Sequence, residues 1–318
     1  MYIDIAFSLN RALQVPLLVV INSILRNTRP LADQPLRFNV VVPPGDRAFF
    51  AQQLHDTFAA DCDPQTVIFR VQPFTPPAYL KHYLDSKFKE KKAERRLSRY
   101  MQYARLFLKE IFPDVGRVIY LDGDVLVLGD VRSLFAQGEQ LTPQRYLAAV
   151  PQFFPAIFYF SNPCKMWADL RQFKSSFNSG VLLIDLDYWN QQTYSLLRHY
   201  LALDAKHHYR LYHLGDETVF NLMFKGTYLP LARRWNSCGY GQPHWIAALL
   251  RRDPEKMSII HWSGGHHKPW QGDRGISPQE NRVIYSDLWR RYLPPALTEP
   301  KVAEVTQPSQ KRSLSQNI

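Results

Sequence analysis

Two aspartates stand two residues apart in an otherwise apolar run, Val118-Ile119-Tyr120-Leu121-Asp122-Gly123-Asp124-Val125-Leu126-Val127. In extended chain, residues two apart point to the same side. Asp122 and Asp124 are therefore expected to aim at one point, with Gly123 letting a ligand approach the backbone. Two close carboxylates repel, so a hard divalent cation is the natural occupant of the space they face. The competing reading is a turn whose acids cap a helix or face water. A second chemical signal lies far along the chain, in His261-Trp262-Ser263-Gly264-Gly265-His266-His267-Lys268-Pro269-Trp270. Imidazole is a common transition-metal ligand, and glycine-loop amides beside a lysine suit phosphate. The same run also reads as a packed aromatic loop or a metal-scavenging cluster. Together the two segments complete a metal-plus-diphosphate site. Oxygen ligands with one imidazole suit Mn2+, with Mg2+ as the alternative.

The elements that must position these groups alternate along the first half of the chain. Strands are expected at residues 2–9, 37–42, 66–71 and 117–121. Between them, helical patterns cover residues 15–27, a stretch capped by Asp46 and running to Phe58, and residues 78–94 and 99–112. The second half is less regular, with strands at 146–150, 180–186 and 258–262 and helices at 188–203, 216–224 and 282–292. This alternation predicts an α/β fold, a mostly parallel sheet flanked by helices, with a C-terminal elaboration. In such a sheet ligands bind beyond the carboxyl ends of strands, which is where the aspartate pair falls. No Gly/Ser linker divides the chain. One domain is expected over residues 1–293. Residues 294–318 read as a flexible polar tail.

Composition narrows the function. The 318 residues are 46% hydrophobic and carry a formal charge of +11, which excludes a largely disordered chain and predicts an anionic partner. Nucleic acid, a phosphorylated substrate and a membrane surface all qualify. Cys62, Cys164 and Cys238 have no zinc spacing and cannot all pair, so a reducing compartment is the default. The apolar stretch at 12–25 is broken by Gln14, Pro16, Asn22 and Ser23, too short for a span, and no basic leader precedes it. A cytoplasmic protein is expected, with peripheral contact at the inner membrane face left open. The basic stretch 81–99 reads as a solvated helix face, or as a contact for anionic lipid or an anionic acceptor. Trp189, Trp235 and Trp262 read as core, or as platforms that stack on sugars. The pair His207-His208 lacks a third ligand, and the aromatic run 152–160 walls a cleft or simply packs.

Several of these residues, in this order, carry a resemblance. A first strand with a polar tip is followed by Arg105, Asp122-Gly123-Asp124, Phe177-Asn178-Ser179-Gly180-Val181-Leu182-Leu183-Ile184-Asp185, and His261 with Lys268-Pro269-Trp270. The whole resembles glycosyltransferase family 8, retaining metal-dependent enzymes of the GT-A, Rossmann-like type that use nucleotide-sugar donors. Ser161-Asn162-Pro163, Asp187-Tyr188-Trp189, Leu214-Gly215, Arg234-Trp235-Asn236 and His261-Trp262-Ser263-Gly264 look closest to its galacturonosyltransferase-like branch and bacterial relatives. The similarity covers residues 2–272 and implies a nucleotide-binding half at about 1–135 and an acceptor half at about 136–293. It implies transfer of a hexose or hexuronic acid from a nucleotide sugar, with uridine diphosphate as carrier, to a hydroxyl acceptor. That acceptor would be a growing glycan, a lipid-linked sugar or a small molecule, and no nucleic acid is expected.

The resemblance also implies roles. Asp122, Asp124 and His261 would hold the metal, while Lys268 and the amides near Gly264 would neutralise phosphate. Arg105 would touch the donor sugar or diphosphate, Gln152 the sugar hydroxyls, and Asn178 and Ser179 the sugar and acceptor. Ser8, Leu9 and Asn10 would line the nucleoside. Asn10 and Leu13 stand where the family has an acid and an aromatic, which weakens a uridine preference. The final loop has one residue more than usual between Gly264 and Lys268. Asp216-Glu217 stands where many bacterial members have Asp-Gln. Glu217 is a competent carboxylate nucleophile for a double displacement; alternatively both acids merely open a helix, where its dipole favours them. A nucleotidyltransferase and a non-catalytic nucleotide-sugar-binding protein are the rival functions.

Overall fold

The structure, a computed structural model, describes residues 1–152, 155–271 and 283–298. The chain runs β1 (Ile3–Ser8), α1 (Gln14–Asn27), β2 (Leu36–Val42), α2 (Arg47–Phe58), β3 (Val67–Pro73), α3 (Ala78–Phe88), α4 (Ala93–Ala104), α5 (Leu108–Ile111), β4 (Arg117–Leu121), β5 (Val125–Val127) and α6 (Val131–Phe135). It continues through β6 (Leu147–Gln152), α7 (Trp167–Leu170), β7 (Ser176–Asp185), α8 (Gln191–Lys206), α9 (Gly215–Met223), β8 (Leu229–Pro230), β9 (Ser237–Cys238), α10 (His244–Leu249), β10 (Ile259–His261) and α11 (Ser286–Arg290).

Seven strands form one sheet in the order β3-β2-β1-β4-β7-β6-β8. The first four neighbours are parallel, and only β7 runs against its flanking partners β4 and β6. Alternation divides the sheet between two cores. Ile5, Phe7, Ile119, Leu121 and Leu183 pack with α1, α2 and α6 on one face. Ala6, Val118, Tyr120, Leu182 and Ile184 pack with α3, α4, α8 and α9 on the other. Both faces being covered explains why β1 and β4 read as near-continuous apolar runs. The chain winds outward in one direction from β1 to β3 and then crosses to β4, so the crevice at the carboxyl ends of β1 and β4 is a topological switch point, where such sheets take ligands. A second sheet, β5-β10-β9, stands at that end. The expected α/β sheet is therefore observed.

Three expectations change. Asp46 sits at the start of α2, but its side chain caps nothing there; it accepts from Arg11 Nε at 2.6 Å instead. The helix expected over 78–94 stops at Phe88, with Lys89 in left-handed backbone (φ 48°), and α4 begins only at Ala93. No large apolar side chain falls between Phe88 and Leu97, so a continuous helix there would have nothing to bury. The helix expected over 99–112 tightens into a 3-10 turn at Arg105–Phe107. Trp189, Trp235 and Trp262 are 4%, 1% and 0% exposed, so they are core and not sugar platforms. Among the described residues no helix is long and apolar enough to cross a membrane. The tail expected from residue 294 starts instead with a short helix at Pro295–Thr298, and residues 299–318 lie outside the described residues, as do Phe153 and Phe154 of the aromatic run and Arg282 of the last expected helix.

Candidate active site

β4 ends at Leu121 and β5 begins at Val125, so Asp122-Gly123-Asp124 is a tight turn joining strands of two different sheets. This corrects the expectation of extended chain. Asp122 N donates to Gly180 O at 2.8 Å, which ties it to β7, and Trp262 N donates to Asp124 O at 3.0 Å, which ties it to the end of β10. The carboxylates converge because the turn folds them together. Gly123 packs under Leu13, whose Cδ1 would lie 3.4 Å from an added Cβ.

His261 completes the cluster. Its Nε2 lies 3.2 Å from Asp124 Oδ1 and 4.0 Å from Asp122 Oδ2. Ligand atoms of the three residues all fall within 4.8 Å of one another, the one such group among the described residues. The other imidazole nitrogen, Nδ1, is 3.0 Å from Asn236 Oδ1. That carbonyl can only accept, so Nδ1 donates to it and Nε2 is the nitrogen turned toward the carboxylates. Gly180 supplies the space: a Cβ there would come 2.2 Å from His261 Cε1 and 2.7 Å from Asp122 Oδ2. Two carboxylates and one imidazole of fixed orientation fit a divalent cation. His266 and His267 take no part; their amides donate to Gly241 O.

Two cations brace the turn. Lys268 Nζ donates to Asp124 Oδ2 at 2.6 Å, so the longer loop still delivers the lysine to the site. Burial alone would raise the Asp124 carboxyl, but Lys268 and His261 outweigh it and hold it well below the usual carboxylate range. Arg105 is 5% exposed and lies over the Tyr120 ring. It reaches Asp122 Oδ1 at 2.8 Å, Ser179 O at 2.7 Å and Asp216 Oδ2 at 3.3 Å. Burial opposes its charge, and Asp122 and Asp216 restore it. Tyr120 OH donates to Asp122 Oδ1 (3.1 Å) and is 2.8 Å from Ser8 Oγ.

Behind the turn lies a second acidic pair. Asp216 opens α9 and is 6% exposed. Burial, against the pull of Arg105 and with Asp122 adding to it, pushes its carboxyl up to about 6. Glu217 is also raised by burial. Its Oε1 accepts from Gln152 Nε2 (3.1 Å) and Tyr159 OH (3.0 Å), and its Oε2 from Asn178 Nδ2 (2.8 Å). Asn178 Oδ1 in turn accepts from Asn236 Nδ2 (3.0 Å), linking this floor to His261. A mere helix-opening acid would face water. Glu217 is instead aimed into the cleft and held by three donors.

The cleft has two lobes. The larger, about 690 Å3, is lined by Gln152, Asn178, Ser179, Asp216, Glu217 and Gly264 among others. The smaller, about 310 Å3, is lined by Ser8, Leu9, Asn10, Leu13, Met101 and Trp270. Arg105, Asp122, Asp124 and Lys268 line both, so the cation cluster stands at their junction. Every site residue expected from sequence lies in one lobe or the other. Asn10 is less free than expected: its Nδ2 donates to Ser98 Oγ (2.8 Å) and Glu94 O (3.3 Å), and its Oδ1 accepts from Ala12 N (3.2 Å). Gly264 has φ +111° and rests on the Gly241–Gln242 backbone, where a Cβ would collide. Sequence reasoning gave Tyr120, Tyr159 and Asn236 no individual role, although each lies in a run it singled out. Those runs, 118–127, 152–160 and Arg234-Trp235-Asn236, were the available signal.

Comparison with known proteins places the chain. The model of a family described as glycosyl transferase family 8 matches residues 4–274. The chain is 29% identical over 278 residues to probable galacturonosyltransferase-like 10 of Arabidopsis thaliana, covering 84% of this chain and 71% of that protein. It is 32% identical over 188 residues to probable galacturonosyltransferase-like 3 of the same plant, covering 55% and 52%. For most of these curated relatives the match spans about half of their length. The fold is shared with galactosyltransferase LgtC solved with donor and acceptor sugar analogues, at TM-score 0.61 and 20% identity over 92% of this chain and 95% of that one. It is also shared with mouse xyloside xylosyltransferase 1, at TM-score 0.57 and 18% identity over 82% and 97%.

Proposed function

The chain belongs to glycosyltransferase family 8, and from that premise we propose that it transfers a hexose or hexuronic acid from a uridine-diphosphate sugar to a hydroxyl acceptor, with retention at the anomeric carbon. The observation that carries this reading is the two-lobed cleft with Asp122, Asp124 and His261 at its waist. A nucleoside fits the smaller lobe, where Met101 and Trp270 supply apolar surface that Leu13 alone lacks. The sugar and the acceptor fit the larger lobe.

The charges around the waist explain the need for a cation. Among the described residues lining the larger lobe, the acids Asp122, Asp124, Asp216 and Glu217 outnumber the cations Arg99, Arg105 and Lys268, a balance that disfavours a diphosphate. Asp122, Asp124 and His261 would hold Mn2+ or Mg2+, which would offset the excess of acids and supply a Lewis acid for the diphosphate. Mn2+ is favoured because one ligand is imidazole. Lys268 and Arg105 stabilise the negative charge that develops on the departing diphosphate. Asn236 keeps the His261 proton on Nδ1, and Gln152, Tyr159 and Asn178 fix the orientation of Glu217.

Glu217 faces the donor sugar in this reading. Its carboxylate attacks the anomeric carbon as the bond to the diphosphate oxygen breaks, and the leaving group takes that electron pair. The acceptor oxygen then displaces Glu217 from the opposite face and yields its proton to the departed diphosphate.

The test is a panel of nucleotide sugars assayed for nucleoside-diphosphate release with Mn2+, with Mg2+ and with chelator. Metal-dependent release from a UDP-sugar, lost in Asp124→Ala, is the expected result. Pyrophosphate release from a nucleoside triphosphate would replace this reading with nucleotidyl transfer. Binding of the whole panel without turnover would make the protein a non-catalytic binder.

A further inference from the structure

The positive excess of the chain is concentrated. Residues 86–99 carry seven Lys or Arg against two Glu. Part of this segment faces a concavity of about 700 Å3 outside the cleft, lined by Ser86, Lys87, Lys89, His208, Tyr209 and Arg210. Its frame is rigid. Asp204, 0% exposed, accepts from Tyr83 OH (2.7 Å) and Lys87 Nζ (2.7 Å) on α3. It also accepts from the amides of Leu211 (2.8 Å) and Tyr212 (3.3 Å) in the loop after α8. Lys87 adds bonds to Tyr209 O (3.2 Å) and Tyr212 O (3.0 Å). One buried carboxylate thus clamps both walls.

The rim is left charged. Lys89, His208 and Arg210 are exposed, and none donates a side-chain hydrogen bond within the described structure. The nearby acids are already engaged: Asp85 with Lys81 and Tyr100, Glu90 with Arg99, Asp204 inside the clamp. Lys89, His208 and Tyr209 all hold left-handed backbone at φ 48°, 57° and 59°. Non-glycine residues pay for that conformation, and it concentrates where a surface must be held in one shape.

Both walls continue directly into the larger catalytic lobe. Phe88, between Lys87 and Lys89, lines that lobe, and so do His213, Leu214 and Gly215, which follow Arg210. We propose that this basic concavity is an acceptor subsite that binds an anionic group, carboxylate or phosphate, of a glycan lying across Phe88 and Leu214 with its reactive hydroxyl in the cleft. This rests on the transfer reading above and names the class of its acceptor. A recessed pocket with no aliphatic lining suits a charged saccharide better than a membrane, whose docking uses apolar insertion beside charge.

The experiment uses the full chain and two oligosaccharides of equal length, one of hexuronic acids and one of neutral hexoses, with phosphatidylglycerol vesicles as a third probe. Calorimetry should show the hexuronate binding and the neutral oligomer failing to compete. Lys89→Ala/Arg210→Ala should weaken hexuronate binding by about tenfold or more, as expected for two lost charge-assisted contacts, and Lys89→Glu/Arg210→Glu more still. Acceptor-free donor hydrolysis should stay at the wild-type rate in both variants. Equal affinity of wild type and variants, equal affinity for the two oligosaccharides, or a loss confined to vesicle binding would each overturn the proposal. Absence of donor hydrolysis in the wild type is a different failure, that of the transfer reading, and calorimetry still decides the subsite.

Discussion

The two halves of the cleft are built on opposite plans. The waist is contiguous: Asp122 and Asp124 are two residues apart in one turn, and His261 and Lys268 lie seven apart at the end of β10. The floor of the larger lobe is dispersed. Glu217 comes from α9, Gln152 from β6, Tyr159 from the turn after it, and Asn178 from β7. At the waist the acids are paired with cations, and Asp124 is held ionised. On the floor burial dominates and keeps Asp216 and Glu217 closer to protonation. In the proposed reading, the charge that would meet a cation is thus kept ready, while the carboxylate that would attack the sugar is held desolvated and oriented.

Substitutions can break this contrast. The largest effect is expected at the waist: Asp124→Ala should lower donor turnover by about 10³-fold or more, since several kcal/mol of charge stabilisation goes with the metal. On the floor, Glu217→Ala should cost on the order of 10²–10³-fold in kcat; wild-type turnover and donor affinity in that variant would remove Glu217 from the chemistry. Asp216 tests the electrostatic half. With its carboxyl at about 6 in the fold and near 4 unfolded, the native state binds the extra proton. The stability this adds is present below pH 4 and disappears as pH rises through 6. Asp216→Asn, measured by thermal unfolding without metal, should therefore gain stability over wild type at pH 8, by about a few kcal/mol, and gain little at pH 4. Asn236→Ala should weaken Mn2+ binding by about 10–100-fold, the usual cost of losing a ligand's orienting partner, with smaller change in kcat at saturating metal. The smallest effect belongs to Leu13→Tyr, which should tighten UDP binding by about five- to tenfold if a ring on that side of the lobe stacks on the base.

The contrast also explains what could be read from the chain. The four parallel strands were legible because each is a short apolar run bounded by turn residues. The waist was legible because charged residues in such a run are conspicuous. The small sheet was not, since strands of two or three residues such as β9 and β5 have no measurable period. Tyr159 and Asn236 were opaque for a related reason. A tyrosine in an aromatic stretch and an asparagine after a tryptophan gain meaning only from partners 58 and 25 residues away. The aspartate turn was assigned the right convergence for the wrong reason, because a strand and a tight turn both allow residues i and i+2 to meet. Gly180 shows the limit most clearly: it matters for the ring and carboxylate that lie over it, and these come from the end of β10 and the turn after β4.

The turn at residues 122–124 joins the two sheets, with Asp122 tied to β7 of the larger and Asp124 and His261 to β10 of the smaller. An ion held by all three would act as a rivet between them. Binding energy would then appear as mechanical cohesion: a ligand at a hundredfold excess over its Kd adds about 2.7 kcal/mol to the state that binds it. The smaller sheet and its attached loop, residues 237–271, should accordingly resist proteolysis and exchange their amides more slowly when the ion is present, well before any sugar is transferred.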